Sequence, residues 1–400
     1  MADGIDGPVW CVDPKHTKNP GTMVRSARHG VGKRWISRWV DNKGKEQGKS
    51  FARRVDAQKH AEGIATALNT GTYADPRRSE MAFRAVAEEW FDGKRGAVEP
   101  KTLADNRSLL DVVVLPHWAD VSLRDMQHPD IQAWVNWLRE SPEARTRPLR
   151  SNDDDDEGAP RGLSAARVIH AFQVVDQVLN YAIRSRYIAV NPADGVHLPR
   201  KNPKRDKALS HTQIRELAEA AGELSPVVYV LGYGGMRYGE LQALRVGNVQ
   251  VDRSRLWIAR SITYVSGVGD REGPTKTHQE RWVTLPRFVM DMVAEAIRDR
   301  DVSEFVFARP GGEAMPLDYF RWRFDKACIA AGLIDVTPKT LRHTAGSLAL
   351  AAGATIVTVS KMMGHKDVTT TMNTYAHELP DDFDNLAAAM DSAARGAAGA

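Results

Sequence analysis

Several side chains suited to a phosphate fall at helix starts and turns in the second half of the chain. Gly234 and Gly235 interrupt an apolar run from Val227 to Leu231, and a new helix begins near Tyr238. Arg237 therefore stands at a helix N-terminus, where free N–H groups favour an anion. Its planar fork can hold two phosphate oxygens at once. Taken alone, it reads equally as a surface arginine paired with Glu240, one turn on. Thr337 and Pro338 make a strong start to a later helix. Lys339 and Arg342, three residues apart, share the face of its first turn. Leu256–Thr263 and Arg281–Pro286 alternate as antiparallel strands, which puts Lys276 near the tip of a hairpin, able to reach across a groove and donate a proton. His365 follows Gly364, which stops a helix begun at Thr355, and Tyr375 lies on the next helix, which starts near Asp367. His343 and His377 read as packing or helix-surface residues. No pair of histidines has metal-ligand spacing and there is no G-x-x-x-x-G-K-[ST] loop, so neither a metal nor an ATP site is expected.

These groups need a scaffold, and the pattern of the chain supplies one. From Lys15 to Lys59 there are thirteen Lys and Arg against three acids. Within it Lys33–Val40 alternates like a half-buried strand, Asp41–Gly44 reads as a turn, Gln47–Arg54 as a returning strand and Asp56–Leu68 as a helix. A unit this basic is a candidate nucleic-acid reader, and a solvated basic face is the equal alternative. From Ser79 to Pro199 the period becomes helical, with Met81–Trp90, Pro100–Val114, Asp130–Leu138 and Ser164–Arg186 as helices. The acidic run Asp153–Glu157, in a loop over 141–161, reads as a solvated loop facing away from any polyanion. Residues 200–207 carry five basic side chains and read as an extended interdomain linker.

The whole composition sets outer bounds. Four hundred residues, 42% of them hydrophobic, suffice for two or three domains. No stretch approaches the length of a membrane-spanning helix, and Met1–Pro8 lacks the basic start of a secretion signal. Only Cys11 and Cys328 are present, too few and too far apart for a disulfide framework, which fits a reducing cytosol. Lys and Arg exceed Asp and Glu by only 55 to 51, so the distribution of charge carries the information and the total does not.

The order of the boxes resembles the tyrosine recombinase (phage integrase) family, specifically integrases with an added N-terminal arm-type DNA-binding domain, as in temperate actinobacterial phages. The resemblance rests on Gly235-Met-Arg237 with Gly239-Glu-Leu241, the lysine at 276, Leu341-Arg-His-Thr344, Met362-Met-Gly-His365 and the terminal Tyr375. It implies a multidomain, mainly α protein with small β-sheets (α+β): an arm-binding domain of three-stranded sheet plus helix over 1–76, a SAM-like helical core-binding domain over 79–199, the linker 200–207, a mostly helical catalytic domain over 208–380 and a tail over 381–400. It implies a site-specific recombinase that cleaves and rejoins DNA through a 3′-phosphotyrosyl bond, using no cofactor and no metal. Tyr375 is then the nucleophile, Arg237 and Arg342 neutralise the phosphate, Lys276 is the general acid, His365 positions an oxygen or takes the tyrosine proton, and Lys339 adds charge. Most family members have a histidine at that last position, so a proton shuttle there is not expected. Glu240 becomes a structural partner of Arg237. Expected DNA contacts are Arg34, Arg38, Lys43, Lys45, Arg53, Arg200, Lys201, Lys204 and Arg205. Expected partners are core and arm attachment sites, three further copies of the chain, a directionality factor and a host DNA-bending protein, all in the bacterial cytoplasm. The alternatives are a cellular or conjugative-element recombinase of the same chemistry, a non-catalytic DNA-binding regulator and a type IB topoisomerase.

Overall fold

The computed structural model describes residues 5–6, 10–12, 23–25, 33, 35–41, 44–70, 73, 77–145, 162–201, 208–375, 390 and 394–395. The chain divides into two compact units, Met1–Asn202 and Pro203–Ala400. The acidic run at 153–157 and nearly all of 381–400 lie outside the described residues, as do 202–207 of the linker.

In the first unit, β1 (Ile5–Asp6), β4 (Trp35–Val40) and β5 (Glu46–Phe51) form an antiparallel sheet in the order β1-β4-β5, and β2 (Trp10–Val12) pairs with β3 (Met23–Arg25). Alternation fixes the faces of β4: Ser37 and Trp39 are buried and Arg38 and Val40 exposed. Helix α1 (Arg54–Asn69) packs on the sheet through Ala57, and the Trp39 indole N–H donates to the Tyr73 hydroxyl at 2.8 Å. The expected helix at Asp56–Leu68 thus begins two residues earlier.

The helical part of this unit contains α2 (Phe83–Gly93), α3 (Pro100–Leu109), α4 (Leu115–Trp118), α5 (His128–Glu140) and α6 (Ala165–Arg184). Ser164 caps α6 by accepting from the Arg167 N–H, and Val168, Phe172, Val175 and Leu179 line its buried stripe. Each such side chain adds roughly 1.5–3 kcal/mol of burial. The single helix expected over Pro100–Val114 is corrected: a π-helical turn at Leu110–Val114 separates α3 from α4. Pro116 lies just beyond it and has no N–H to continue the ladder, so the helical register widens there.

The second unit is built around α8 (Ser225–Gly234), which is apolar on every side and packs against α7 (His211–Ala221), α10 (Arg287–Ala296) and α12 (Pro338–Ala351). The short α9 (Tyr238–Gln242) follows α8, and α11 (Leu317–Ala330) packs on α7. The antiparallel sheet β6 (Val249–Gln250), β7 (Arg255–Ile258) and β10 (Arg281–Thr284) has the order β10-β7-β6, while β8 (Arg260–Val265) pairs, among the described residues, with β9 (Gly269–Pro274) in a separate ladder. The expected strand Leu256–Thr263 is therefore two strands in two ladders. Consequently Lys276 does not sit at a hairpin tip: β8 and β9 pair up to Val265↔Gly269, and Lys276 occupies the turn between β9 and β10. Two further helices, α13 (Ile356–Met363) and α14 (Val368–Tyr375), follow.

Candidate active site

Helix α8 stops at Gly235, whose φ of 64° is left-handed and comfortable only for glycine. Arg237 then caps α9 in extended conformation. The Glu240 carboxylate folds back to accept the Arg237 backbone N–H at 2.9 Å and its Nη1 at 2.9 Å. Nη2 of Arg237 reaches the Gly364 carbonyl at 3.3 Å. Helix propagation from Thr337 carries Arg342 inward, where Nη1 donates to the Gly235 carbonyl at 2.6 Å and Nη2 to the Met363 carbonyl at 2.7 Å.

The C-terminus of α13 collects these groups. Gly364, with φ 64°, ends the helix and leaves its last carbonyls open. Arg281 Nε donates to the Met362 carbonyl at 2.8 Å, Arg342 to Met363 and Arg237 to Gly364. Three guanidinium groups thus meet three successive carbonyls at the negative end of a helix dipole. The one carboxylate among them is Glu240, 1% exposed, which Arg281 grips through both Nη atoms at 3.1 and 2.7 Å. Burial alone would raise this carboxyl, but the hydrogen bonds and charges of Arg281 and Arg237 outweigh it and hold Glu240 below its ordinary range. For Arg342 the balance goes the other way: burial, with Arg237 and Arg281 close by, pushes its guanidinium down.

Lys276 is exposed, and both of its neighbours are tied down. Thr275 Oγ donates to the Gln279 carbonyl at 2.9 Å, and Thr277 Oγ donates to the Gly364 carbonyl at 3.4 Å. That second bond brings the turn to the same α13 terminus. His365 Nδ1 lies 2.7 Å from Thr371 Oγ. Burial, and then the charges of Arg342, Arg237 and Arg281, push its pKa down to about 4, so the ring is neutral near pH 7. Lys339 is exposed on the first turn of α12.

Tyr375 is fully buried at the end of α14. Its hydroxyl donates to the His343 carbonyl at 3.2 Å and lies 3.2 Å from Met363 Sδ. Met363 therefore touches the tyrosine through its sulfur and Arg342 through its carbonyl, which draws phenol and guanidinium to one residue. The other nearby phenol, Tyr238, is bonded to the Met315 carbonyl at 3.0 Å and stacked on Phe320, with burial raising it above its ordinary range.

Arg281 and Gly346 did not stand out in the sequence, and His343 and Met363 entered it only as members of their boxes or as packing. Arg281 left one signal: it shares the inward face of β10 with Val283, where an apolar residue is the norm. Of the candidate DNA contacts, Arg38, Lys45, Arg53, Arg200 and Lys201 are exposed, Arg38 with Glu46 3.5 Å away. Arg34, Lys43, Lys204 and Arg205 lie outside the described residues.

Residues 207–381 match the phage integrase family, and residues 82–139 match the phage integrase N-terminal SAM-like domain. The chain belongs to the phage integrase family of tyrosine recombinases. Members are site-specific DNA recombinases, and this chain is an enzyme of that class. The recombinase is 22% identical over 309 residues to tyrosine recombinase XerD of Rickettsia conorii, covering 74% of this chain and 94% of that protein. It is also 22% identical over 351 residues to prophage integrase IntR of Escherichia coli K12, covering 81% and 83% of the two chains. Its fold matches the Tn1549 transposon integrase, solved in complex with transposon right end DNA, with a TM-score of 0.64 at 18% identity, over 78% of this chain and 100% of that one.

Proposed function

We propose that the recombinase integrates a phage or mobile-element genome by attack of Tyr375 on a phosphodiester of duplex DNA. The phenol oxygen bonds to phosphorus, the bond to the 5′-oxygen breaks, and the 3′-phosphotyrosyl link keeps the bond energy for rejoining to a second strand's 5′-hydroxyl. Arg237 and Arg342 face the charge that builds on the non-bridging oxygens, Lys276 protonates the leaving 5′-oxygen, His365 accepts the phenol proton and Lys339 adds charge.

The observation that carries this reading is the gathering of three guanidinium groups on three successive α13 carbonyls, with the Tyr375 hydroxyl at Met363, one of the three. Of the three, Arg237 and Arg342 each meet an α13 carbonyl through Nη2, and a phosphate oxygen can take over those two contacts. An excess of fixed positive charge over one buried carboxylate suits a dianionic transition state.

The finer assignments belong to the same proposal. The segment 1–76 reads arm sites through its sheet and its exposed basic side chains, 79–199 grips the core site, 208–380 is catalytic, and four copies assemble because two duplexes require four cleavages. A directionality factor and a host bending protein complete the reaction in the bacterial cytoplasm.

The polarity of cleavage tests the reading. A nicked core-site substrate treated with the recombinase should release a strand whose 5′ end is a hydroxyl, labelled by polynucleotide kinase without prior phosphatase. A released 5′-phosphate would contradict the mechanism.

A further inference from the structure

Arg281 is a buried cation that the proposed chemistry does not use. It is 8% exposed, on the inward face of β10. All three of its guanidinium nitrogens are engaged: Nη1 and Nη2 on the Glu240 oxygens at 3.1 and 2.7 Å, and Nε on the Met362 carbonyl at 2.8 Å. Gly364 lies so close that a Cβ there would stand 2.8 Å from Nη1.

Glu240 divides its oxygens evenly between two arginines. Oε1 accepts from Arg237 Nη1 and Arg281 Nη1, and Oε2 accepts from the Arg237 backbone N–H and Arg281 Nη2. A carboxylate shared in this way can orient one guanidinium while a second neutralises it. We infer that Arg281 is a positioning residue that neutralises Glu240, so that Arg237 is held by the carboxylate yet keeps its charge for the phosphate. Its Nε bond also fixes the α13 terminus, whose next two carbonyls hold Arg342 and Arg237. Without Arg281, the buried Glu240 would face Arg237 alone, and their charges would cancel where the phosphate needs a cation.

This rests on the reading of Arg237 as a phosphate ligand, and the test separates the two. Single-turnover cleavage of a nicked core site is measured at saturating DNA, with binding measured separately by gel shift. Arg281→Gln should cleave about 10²-fold more slowly, as for loss of one charge-stabilising donor, with DNA affinity little changed. Adding Glu240→Gln to it removes the carboxylate that then cancels the Arg237 charge and should recover part of the rate, and Arg281→Lys, which keeps the charge, should cleave faster than Arg281→Gln. Wild-type cleavage by Arg281→Gln, or a double variant no faster than Arg281→Gln, overturns the inference. If Arg281→Gln does not fold, Arg281→Lys is read against the wild type: a loss confined to the rate at saturation supports the inference, and a loss confined to DNA affinity overturns it. Arg237→Gln run in parallel reports on the underlying reading: full activity there sinks the phosphate role of Arg237 itself, whatever Arg281 does.

Discussion

The Tyr375 hydroxyl donates to the backbone carbonyl of His343, and the two rings stack 4.8 Å apart with only 9° between their planes. The phenol rests in a slot of α12 whose floor is Gly346, where any Cβ would overlap the Tyr375 hydroxyl. One neutral hydrogen bond and one ring contact amount to about 1–3 kcal/mol. These contacts, together with the burial of the ring, hold the phenol in the slot.

Gly346→Ala should therefore expel the phenol. Hydrogen exchange across 368–375 should speed up, and the melting temperature should fall by a few degrees, as for a loss of about 1 kcal/mol. Cleavage of a nicked substrate should persist. Unchanged exchange in that segment would show that the slot does not hold the tyrosine.

The charge imbalance around Arg342 predicts a response to anions. Burial and neighbouring cations oppose its charge, and a tetrahedral oxyanion would relieve that opposition. Millimolar sulfate should raise the melting temperature more than sodium chloride of equal ionic strength, by the linkage between binding and folding. Arg342→Gln should remove the difference and slow cleavage by about 10²–10³-fold. Equal effects of both salts on the wild type would count against a preformed phosphate site.

His365 gives a pH signature. An exposed histidine titrates at 6.5, and this one is depressed to about 4. Between those values the unfolded chain takes up a proton that the folded chain refuses, so the residue makes the fold less stable as pH falls from 6.5 toward 4 and has no effect above 6.5. A neutral ring is the form that accepts a proton. The acidic limb of kcat/KM, which reports the free enzyme, should fall near 4. A limb at 6.5 that vanishes in His365→Asn would contradict the assignment.

Lys276 is placed by the bonds of its neighbours Thr275 and Thr277, so its role is best tested chemically. Lys276→Ala should lose about 10²–10⁴-fold in cleavage of ordinary DNA, the usual scale of general acid catalysis. Substrate with sulfur in place of the bridging 5′-oxygen has a leaving group that needs no proton, and with it the variant should match the wild type. A persistent deficit would assign Lys276 to binding instead.

How far the sequence reveals this arrangement depends on how local the cause is. The start of α12 at Thr337–Pro338, the stop at Gly364 and the cap at Ser164 are set by residues a turn away, and the helical reading places them to within a residue or two. The role of Met363, a member of the Met362-Met-Gly-His365 box, has no local mark, because it exists only once α12, α13 and α14 have packed together. Alternation alone puts Lys276 at a hairpin tip because it does not state which strand pairs with which. The split at Ala259 hands β8 to β9 and moves the lysine into the next turn. The π-helical turn at Leu110–Val114 is not visible in the apolar period, and its local correlate is Pro116, which lacks an N–H.

The account turns on the phenol of Tyr375 becoming bonded to DNA. Wild-type protein incubated with a nicked core site should give a detergent-stable protein–DNA adduct, and Tyr375→Phe should give none while shifting the same DNA with wild-type affinity. An adduct at wild-type yield from Tyr375→Phe would contradict the account at its centre.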